Sequence, residues 1–122
     1  MTKQAIKIVA AVLGLLMPGI ASACTSYCPA PDGVTVTVGK VRNVAGRDDW
    51  WEAPIEVINS TDRSFKSVNL TCSWYDAEGQ LINAQSAAAW QVPPYSKVSV
   101  TGSDGFGLGI NSARCRVIDV DY

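Results

Sequence analysis

Residues 51–57 read WEAPIEV, an alternation of apolar and polar side chains that decides the fold. The period of two places the apolar members on one face of a β-strand and the two glutamates on the other. This pattern is typical of an antiparallel strand with one buried and one solvated face. Because proline cannot donate to a neighbouring strand, Pro54 on the outward face predicts an edge position or a bulge. The predicted inward residues are Trp51, Ala53, Ile55 and Val57.

Similar segments lie on both sides of this strand. Strands are predicted at 34–39, which residues 41–46 either extend or pair with, and at 68–74, 80–92, 97–101 and 113–120. Residues 24–122 contain twelve valines and three leucines, which favours strands over helices. Six or seven short strands over residues 34–122 predict an all-β, immunoglobulin-like antiparallel sandwich, with a small closed barrel as the alternative. The next strands are expected to carry Val68, Leu70, Cys72 and Trp74 inward, and Ile82, Ala84, Ala88 and Trp90 on one shared face. Trp74, Tyr75 and Trp90 are expected to belong to the core or its rim.

The first 23 residues have the layout of a secretory signal peptide. Lys3 and Lys7 precede an apolar run over residues 8–17, and residues 21–23 supply the small side chains of a cleavage site. The run is too short to span a bilayer stably. We therefore expect an exported protein of the periplasm or cell envelope, with an irregular lead-in at 24–33 before the domain at 34–122.

Cys24 follows directly after the predicted cleavage site and leaves two modes of processing open. In one mode Cys24 is lipidated and becomes the new N-terminus of a lipoprotein, which is the only membrane attachment that the sequence predicts. In the other mode ordinary cleavage leaves Cys24 free to form a disulfide bond. Lipidation would anchor the domain to a membrane surface, whereas ordinary cleavage leaves it unattached.

The four cysteines allow three full pairings in an oxidising compartment. The spacing favours Cys72 with Cys115, because both lie on strand faces that also carry aliphatic residues. Cys24 and Cys28 then form a possible second pair, unless Cys24 carries lipid. The gaps between successive cysteines are 3, 43 and 42 residues, which do not match the close pairs of a zinc site.

Charge and composition exclude several classes of function. Because Lys3 and Lys7 fall in the predicted signal peptide, the remaining 99 residues carry 8 basic and 11 acidic side chains. That balance argues against nucleic-acid binding. The chain contains no histidine, so catalytic triads and metal sites that need histidine are excluded. We predict a protein that is not an enzyme and has no cofactor or metal site.

One stretch of the predicted sandwich resembles a known family. Residues 55–62 (IEVINSTD) and 72–79 (CSWYDAEG) are similar to the FxLYD-domain family, in which a strand and an Asn-rich turn precede a strand that ends in Tyr-Asp before a glycine turn. Tyr75, Asp76 and Gly79 match, while Cys72 and Trp74 replace the family's Phe and Leu. Residues 74–79, with Trp90 and the Pro93-Pro94 pair, also resemble YcfL-type bacterial envelope lipoproteins. Both resemblances imply an exported immunoglobulin-like domain without a defined chemistry.

Trp50 and Trp51 are the candidate contact residues. Strand alternation allows only one of the two rings to be buried. An exposed Trp50 would suit a partner or a sugar, whereas the favoured interpretation packs Trp50 beneath the lead-in at 24–33. Asp48, Asp49 and Glu52 are interpreted as a solvated turn, although turnover that depends on them would indicate an enzyme.

The predicted function is that of a non-catalytic envelope module that binds a protein or assists assembly. A partner strand would add to the edge at 34–38 or near Pro54, or Trp50 would anchor the interface. The alternative is a small inhibitor or immunity protein that blocks an exported enzyme or toxin, with the glycine-rich loop at 103–109 inserted into a cleft. The sequons at Asn59 and Asn69 are interpreted as incidental.

Overall fold

A computed structural model describes residues 24–47, 49–104 and 109–122. Asp48, the predicted signal peptide and most of the glycine-rich loop therefore lie outside the described residues. Within the described part, the chain forms strands and connecting turns, and no helix is long and apolar enough to cross a membrane. The strands are β1 (Val34–Val38), β2 (Arg42–Asn43), β3 (Trp51–Asn59), β4 (Phe65–Tyr75), β5 (Leu81–Val92), β6 (Ser96–Asp104) and β7 (Ser112–Asp121).

The strands form two antiparallel sheets, which we name after their central strands. In the β3 sheet, β6 pairs with the whole length of β3, and β1 and β2 share its other side. In the β4 sheet, the order is β5-β4-β7. The two sheets pack as a sandwich, which confirms the predicted all-β fold.

The alternation that predicts the inward faces holds in both central strands. Ala53, Ile55 and Val57 are buried on β3, and Val68, Leu70, Cys72 and Trp74 are buried on β4. Most of these side chains form the main hydrophobic core between the sheets. A second, smaller cluster joins Trp74 to Ala53 and Ile110. The buried apolar surface between the sheets provides the main favourable contribution to folding.

The sequence predicts an edge position or a bulge for Pro54, but Pro54 does not lie at a sheet edge. It sits in β3, the central strand, and faces Thr101 of β6. On the other side of β3, the chain leaves β1 and crosses to β2 at this level, and the N–H of Gly39 donates to the carbonyl of Pro54 at 2.8 Å. Proline is accommodated because the neighbouring strand is interrupted where its missing N–H would otherwise be needed.

The β4–β5 hairpin is closed by the turn that the sequence predicts. Asp76 Oδ1 accepts hydrogen bonds from the N–H groups of Glu78 and Gln80, at 3.0 and 2.9 Å. Gly79 has a φ of 79°, a left-handed conformation that glycine adopts without steric cost. The turn therefore sets the register of β5 along β4.

Candidate functional site

Two disulfide bonds use all four cysteines. Cys72 on β4 bonds to Cys115 on β7, the pairing that the spacing favours, and Cys24 bonds to Cys28. Cys72 and Cys115 lie directly opposite each other on neighbouring strands, with a Cα–Cα distance of 4.0 Å. This bond therefore reinforces one sheet and does not connect the two sheets.

The lead-in is attached to the C-terminal end of β7. Cys28 and Val120 exchange both backbone hydrogen bonds at 2.9 Å, and the N–H of Tyr122 donates to the carbonyl of Thr25 at 2.7 Å. The N–H of Tyr27 donates to Asp121 Oδ1 at 2.6 Å. Residues 25–28 therefore cover this end of the outer edge of β7.

Trp50 does not pack beneath the lead-in, so that interpretation is wrong. It precedes β3 at the end of the strand away from Gly33, where the lead-in meets Ser60. Its half-buried ring lies beneath the Arg47 guanidinium, whose carbon is 4.8 Å from the ring centroid. Trp51 is also half-buried and packs against the small core cluster around Trp74. Neither indole forms a strongly exposed contact surface.

The acidic cluster beside these tryptophans is divided among different environments. Glu52 accepts from Arg42 Nε at 2.7 Å in a surface ion pair across β2 and β3. Asp49 is exposed in the turn, and Asp48 lies outside the described residues. Across residues 24–47, 49–104 and 109–122, no three His, Cys, Asp or Glu side chains gather closely enough to hold a metal ion.

The Asn59 side chain has a structural role. It is buried, and its Nδ2 donates to the carbonyls of Arg63 and Pro93 at 2.7 and 2.8 Å. Its Oδ1 accepts from the N–H and the hydroxyl of Thr61 at 3.0 and 2.7 Å. Asn69 Nδ2 likewise donates to Asp119 Oδ1 at 2.6 Å. Both sequon asparagines thus have intramolecular partners in the folded domain.

The shared face of β5 is correctly grouped by the sequence, but it points away from the core. Ala89 and Ala87 oppose the buried Val68 and Leu70 of β4, so the odd-numbered residues face inward. Trp90 lies on the opposite face and is 67% exposed, so the expectation that it belongs to the core or its rim is wrong. The outward residues of β5 are Ala84, Ser86, Ala88 and Trp90, while Ile82 is the extra residue of a bulge and is 41% exposed.

A shallow groove of about 380 Å³ crosses the outer surface of the β4 sheet. We call it the Tyr27 groove. Small side chains of β5 form part of its floor, and the large side chains of Tyr27 and Ile118, which are 75% and 48% exposed, also line it. The groove is lined by Tyr27, Asn69, Leu70, Ser86, Ala87, Ala88, Ile118 and Asp119.

Two irregularities of the backbone shape this groove. The register between β4 and β7 shifts between Asn69 and Leu70, which leaves Ile118 as the extra residue of a bulge. Tyr27 has a φ of 52°, in the left-handed region that side chains other than glycine seldom adopt. The disulfide on one side of Tyr27 and its bond to Asp121 on the other hold this conformation.

Tyr27 and Ile118 could not be identified as candidate contact residues from the sequence. The available indication was an aromatic residue within the three positions between Cys24 and Cys28, where a disulfide would restrain the backbone. No pattern in the sequence indicated that the lead-in would bond to β7, because that contact joins residues 94 positions apart. The glycine-rich loop remains untested, since residues 105–108 lie outside the described part.

Comparison with known proteins adds no relative to this description: no family model, curated protein or solved structure matches the chain.

Proposed function

We propose that this chain is an exported, non-catalytic module of the cell envelope, and that it binds a protein partner through the Tyr27 groove. The observation that carries the proposal is the 75% exposed ring of Tyr27, which a restrained backbone holds beside a shallow groove. Large exposed apolar side chains grouped on one surface are typical of interaction sites. Tyrosine and tryptophan are also the residues that most often dominate the binding energy of protein interfaces.

The restraint on Tyr27 favours recognition over a purely structural role. Its ring faces solvent, so the ring itself contributes little to the buried core. Its backbone nevertheless occupies an unfavourable region and is held there by a hydrogen bond and an adjacent disulfide. A backbone segment that is already restrained loses less conformational entropy on binding.

The chemistry of the groove suits a segment of protein chain. Ala88 and Ser86 form a low floor that lets a partner approach the sheet closely, and Ile118 supplies an apolar wall. Asn69 and Asp119 form a hydrogen-bonded pair at the same surface, which supplies polar groups for orientation. A few polar groups among apolar contacts are the usual composition of a specific site.

Export is part of the same proposal. Two disulfide bonds are compatible with an oxidising compartment, where such bonds persist. A predicted signal peptide precedes Cys24, and lipidation there is the alternative fate of that sulfur. The envelope is then the compartment in which a partner would be met.

The test compares two tyrosines with the same backbone conformation. Tyr27 and Tyr95 have φ values of 52° and 50° and exposures of 75% and 72%, but only Tyr27 lines the groove. We expect Tyr27→Asn to weaken binding of a purified envelope partner by at least about tenfold, and Tyr95→Asn to leave it unchanged. Asparagine tolerates the left-handed region, so both folds should persist.

The partner is first identified by crosslinking in the envelope and then purified for titration calorimetry. Ile118→Ser, at a second exposed residue of the groove, should weaken the same complex. Equal affinity of the wild type, Tyr27→Asn and Ile118→Ser for every crosslinked partner would contradict the proposal. Tyr27-dependent retention on purified cell-wall glycan, without a protein partner, would also contradict it.

A further inference from the structure

The outer edge of β5 differs from the other edge of the β4 sheet. β7 has the lead-in paired to its end through Cys28 and Val120. β5 is twelve residues long and pairs with β4 on one side, and no strand of the described residues pairs with its other side. Backbone groups along such an edge are available to another strand.

This edge lacks the features that usually prevent strand association. Residues 81–92 read LINAQSAAAWQV and contain no charged residue and no proline. Natural edge strands commonly carry lysine, proline or inward-pointing charges, which block pairing between molecules. The 21 charged residues of the chain all lie elsewhere.

The outward face of β5 is also more apolar than its inward face. Ile82 and Trp90 are 41% and 67% exposed, whereas Asn83 and Gln85 occupy the inward side. A solvated strand face normally has the opposite composition. This inversion places two large apolar side chains along the free edge, beside any strand that pairs with it.

In both directions from Ser86, a small side chain is followed by a large apolar one. Moving away from Ser86, the flanking positions carry Ala84 and Ala88, and the outer positions carry Ile82 and Trp90. We propose that two copies of this chain associate through β5, antiparallel and about a twofold axis at Ser86. The two β4 sheets then form one continuous sheet of six strands, and this inference goes beyond the proposed function.

In this register, each Trp90 lies beside the bulged Ile82 of the second copy, and each Ala84 faces Ala88. Ser86 faces its own equivalent, where a small neutral side chain avoids repulsion across the axis. Aromatic side chains opposite aliphatic ones are favourable cross-strand pairs. An identical patch on both subunits is what twofold association requires.

The backbone geometry agrees with the same register. The N–H of Ala84 donates to Asn83 Oδ1 at 2.9 Å, a bond on the side of the strand away from β4. Alternate residues of an antiparallel strand direct their N–H and carbonyl groups to the same side. Ala84, Ser86 and Ala88 therefore direct these groups to the free edge. The proposed register pairs each of them with another of this set, and the bond from Ala84 to the second copy replaces its bond to Asn83.

The test uses charge at the twofold axis. The full chain is expressed, and the processed protein is studied by sedimentation velocity from about 1 µM to about 300 µM. We expect the wild type to convert from monomer to dimer within this range. Ser86→Lys and Ser86→Glu should each raise the midpoint concentration at least about tenfold, because like charges face each other. An equimolar mixture of the two variants should associate again.

Ser99 supplies the matched control, because it is an exposed serine on β6 of the other sheet. Ser99→Lys and Ser99→Glu should dimerise as the wild type does, and circular dichroism should show the same fold for all variants. A wild type that stays monomeric throughout the range would overturn the proposal. Equal dimerisation of the Ser86 and Ser99 variants, or no association in the Ser86 mixture, would also overturn it. Tyr27 is unaltered and no partner is present, so failure here leaves the proposed function standing.

Discussion

Asp121 holds Tyr27 against the β4 sheet, because its Oδ1 accepts a hydrogen bond of 2.6 Å from the backbone N–H of Tyr27, 94 positions earlier in the chain. The other carboxylate oxygen of Asp121 accepts from the hydroxyl of the buried Ser67 at 3.1 Å. One side chain therefore joins the lead-in, β4 and β7. The position of the Tyr27 groove depends on this carboxylate as well as on the nearby disulfide.

We predict that Asp121→Ala releases the lead-in and leaves the sandwich folded. Hydrogen bonds to charged groups contribute about 1.5–3 kcal/mol, so amide exchange at Tyr27 and Cys28 should accelerate by at least about tenfold. Hydrogen exchange measured by mass spectrometry checks this. Asp62→Ala, in an exposed turn, is the control. Unchanged protection of Tyr27 in Asp121→Ala would show that the carboxylate does not hold the lead-in.

Asn59→Ala should be the most destabilising substitution of a polar residue that we identify. It removes four hydrogen bonds from one buried side chain and leaves the carbonyls of Arg63 and Pro93 without this donor. We expect a loss of about 2–3 kcal/mol in the free energy of unfolding, measured with urea. Asn69→Ala removes the hydrogen bond to Asp119 and should cost about 1 kcal/mol. An Asn59 variant as stable as the Asn69 variant would refute the ranking.

Gly39→Ala should be destabilising because a Cβ at this position would lie 2.6 Å from Pro54 Cγ. Overpacking of this kind typically costs about 1–3 kcal/mol. Removing the ring should relieve the contact, so the double variant Gly39→Ala/Pro54→Ala should be more stable than the sum of the two single effects predicts. Urea unfolding of the four proteins completes the cycle. Strict additivity would contradict the proposed contact.

The two disulfides should contribute unequally to stability. Loss of the Cys72–Cys115 bond, which spans 43 residues, should cost up to about 4 kcal/mol by the chain-entropy model. Loss of the Cys24–Cys28 bond, which spans 4 residues, should cost about 2 kcal/mol or less. The test replaces both cysteines of one bond with alanine, for each bond in turn, and compares the free energies of unfolding measured with urea. A larger loss for the short bond would contradict the model.

The intact mass of the processed protein tests both the cleavage site and the fate of Cys24. A chain that begins at Cys24 and contains both disulfides is lighter than its reduced form by four hydrogens. We propose this form as the product of ordinary cleavage. A mass increased by acyl chains would assign the lipidated form. An uncleaved mass would contradict the predicted signal peptide.

The sequence predicts the centre of this sandwich well because alternation and burial agree there. In β3 and β4, the apolar residues recur at every second position, and these residues are buried. Both strands have neighbours on two sides, so their inward faces are strongly specified. The Cys72–Cys115 pair follows from the same faces.

The sequence does not predict which face of β5 points toward the core. Its more apolar face points outward, and only the register with Val68 and Leu70 assigns Ala89 and Ala87 to the core. Gln91 has a φ of 56°, and both Ala89 and Val92 are buried around it, so the alternation changes at this residue. Composition alone therefore assigns Trp90 to the wrong side.

The candidate site was missed because contacts distant in sequence create it. Trp50 was a candidate contact residue because it is one of two adjacent tryptophans, but Arg47 covers its ring in a local turn. Asp121 holds Tyr27 in position through a hydrogen bond. Ile118 is exposed at a bulge that the sequence of β7 does not predict. Local patterns contain no information about either relationship.

The disulfide at Cys24 has a consequence for where the domain can search for a partner. One sulfur atom cannot form both a disulfide and a thioether, so a tethered domain would retain Cys28 as a buried thiol. Tyr27 follows Cys24 by three residues, a span of about 10 Å at most. A lipid at Cys24 would therefore confine the groove to the first molecular layer above the bilayer, and its encounters would become two-dimensional. The oxidised form instead samples the whole volume of its compartment.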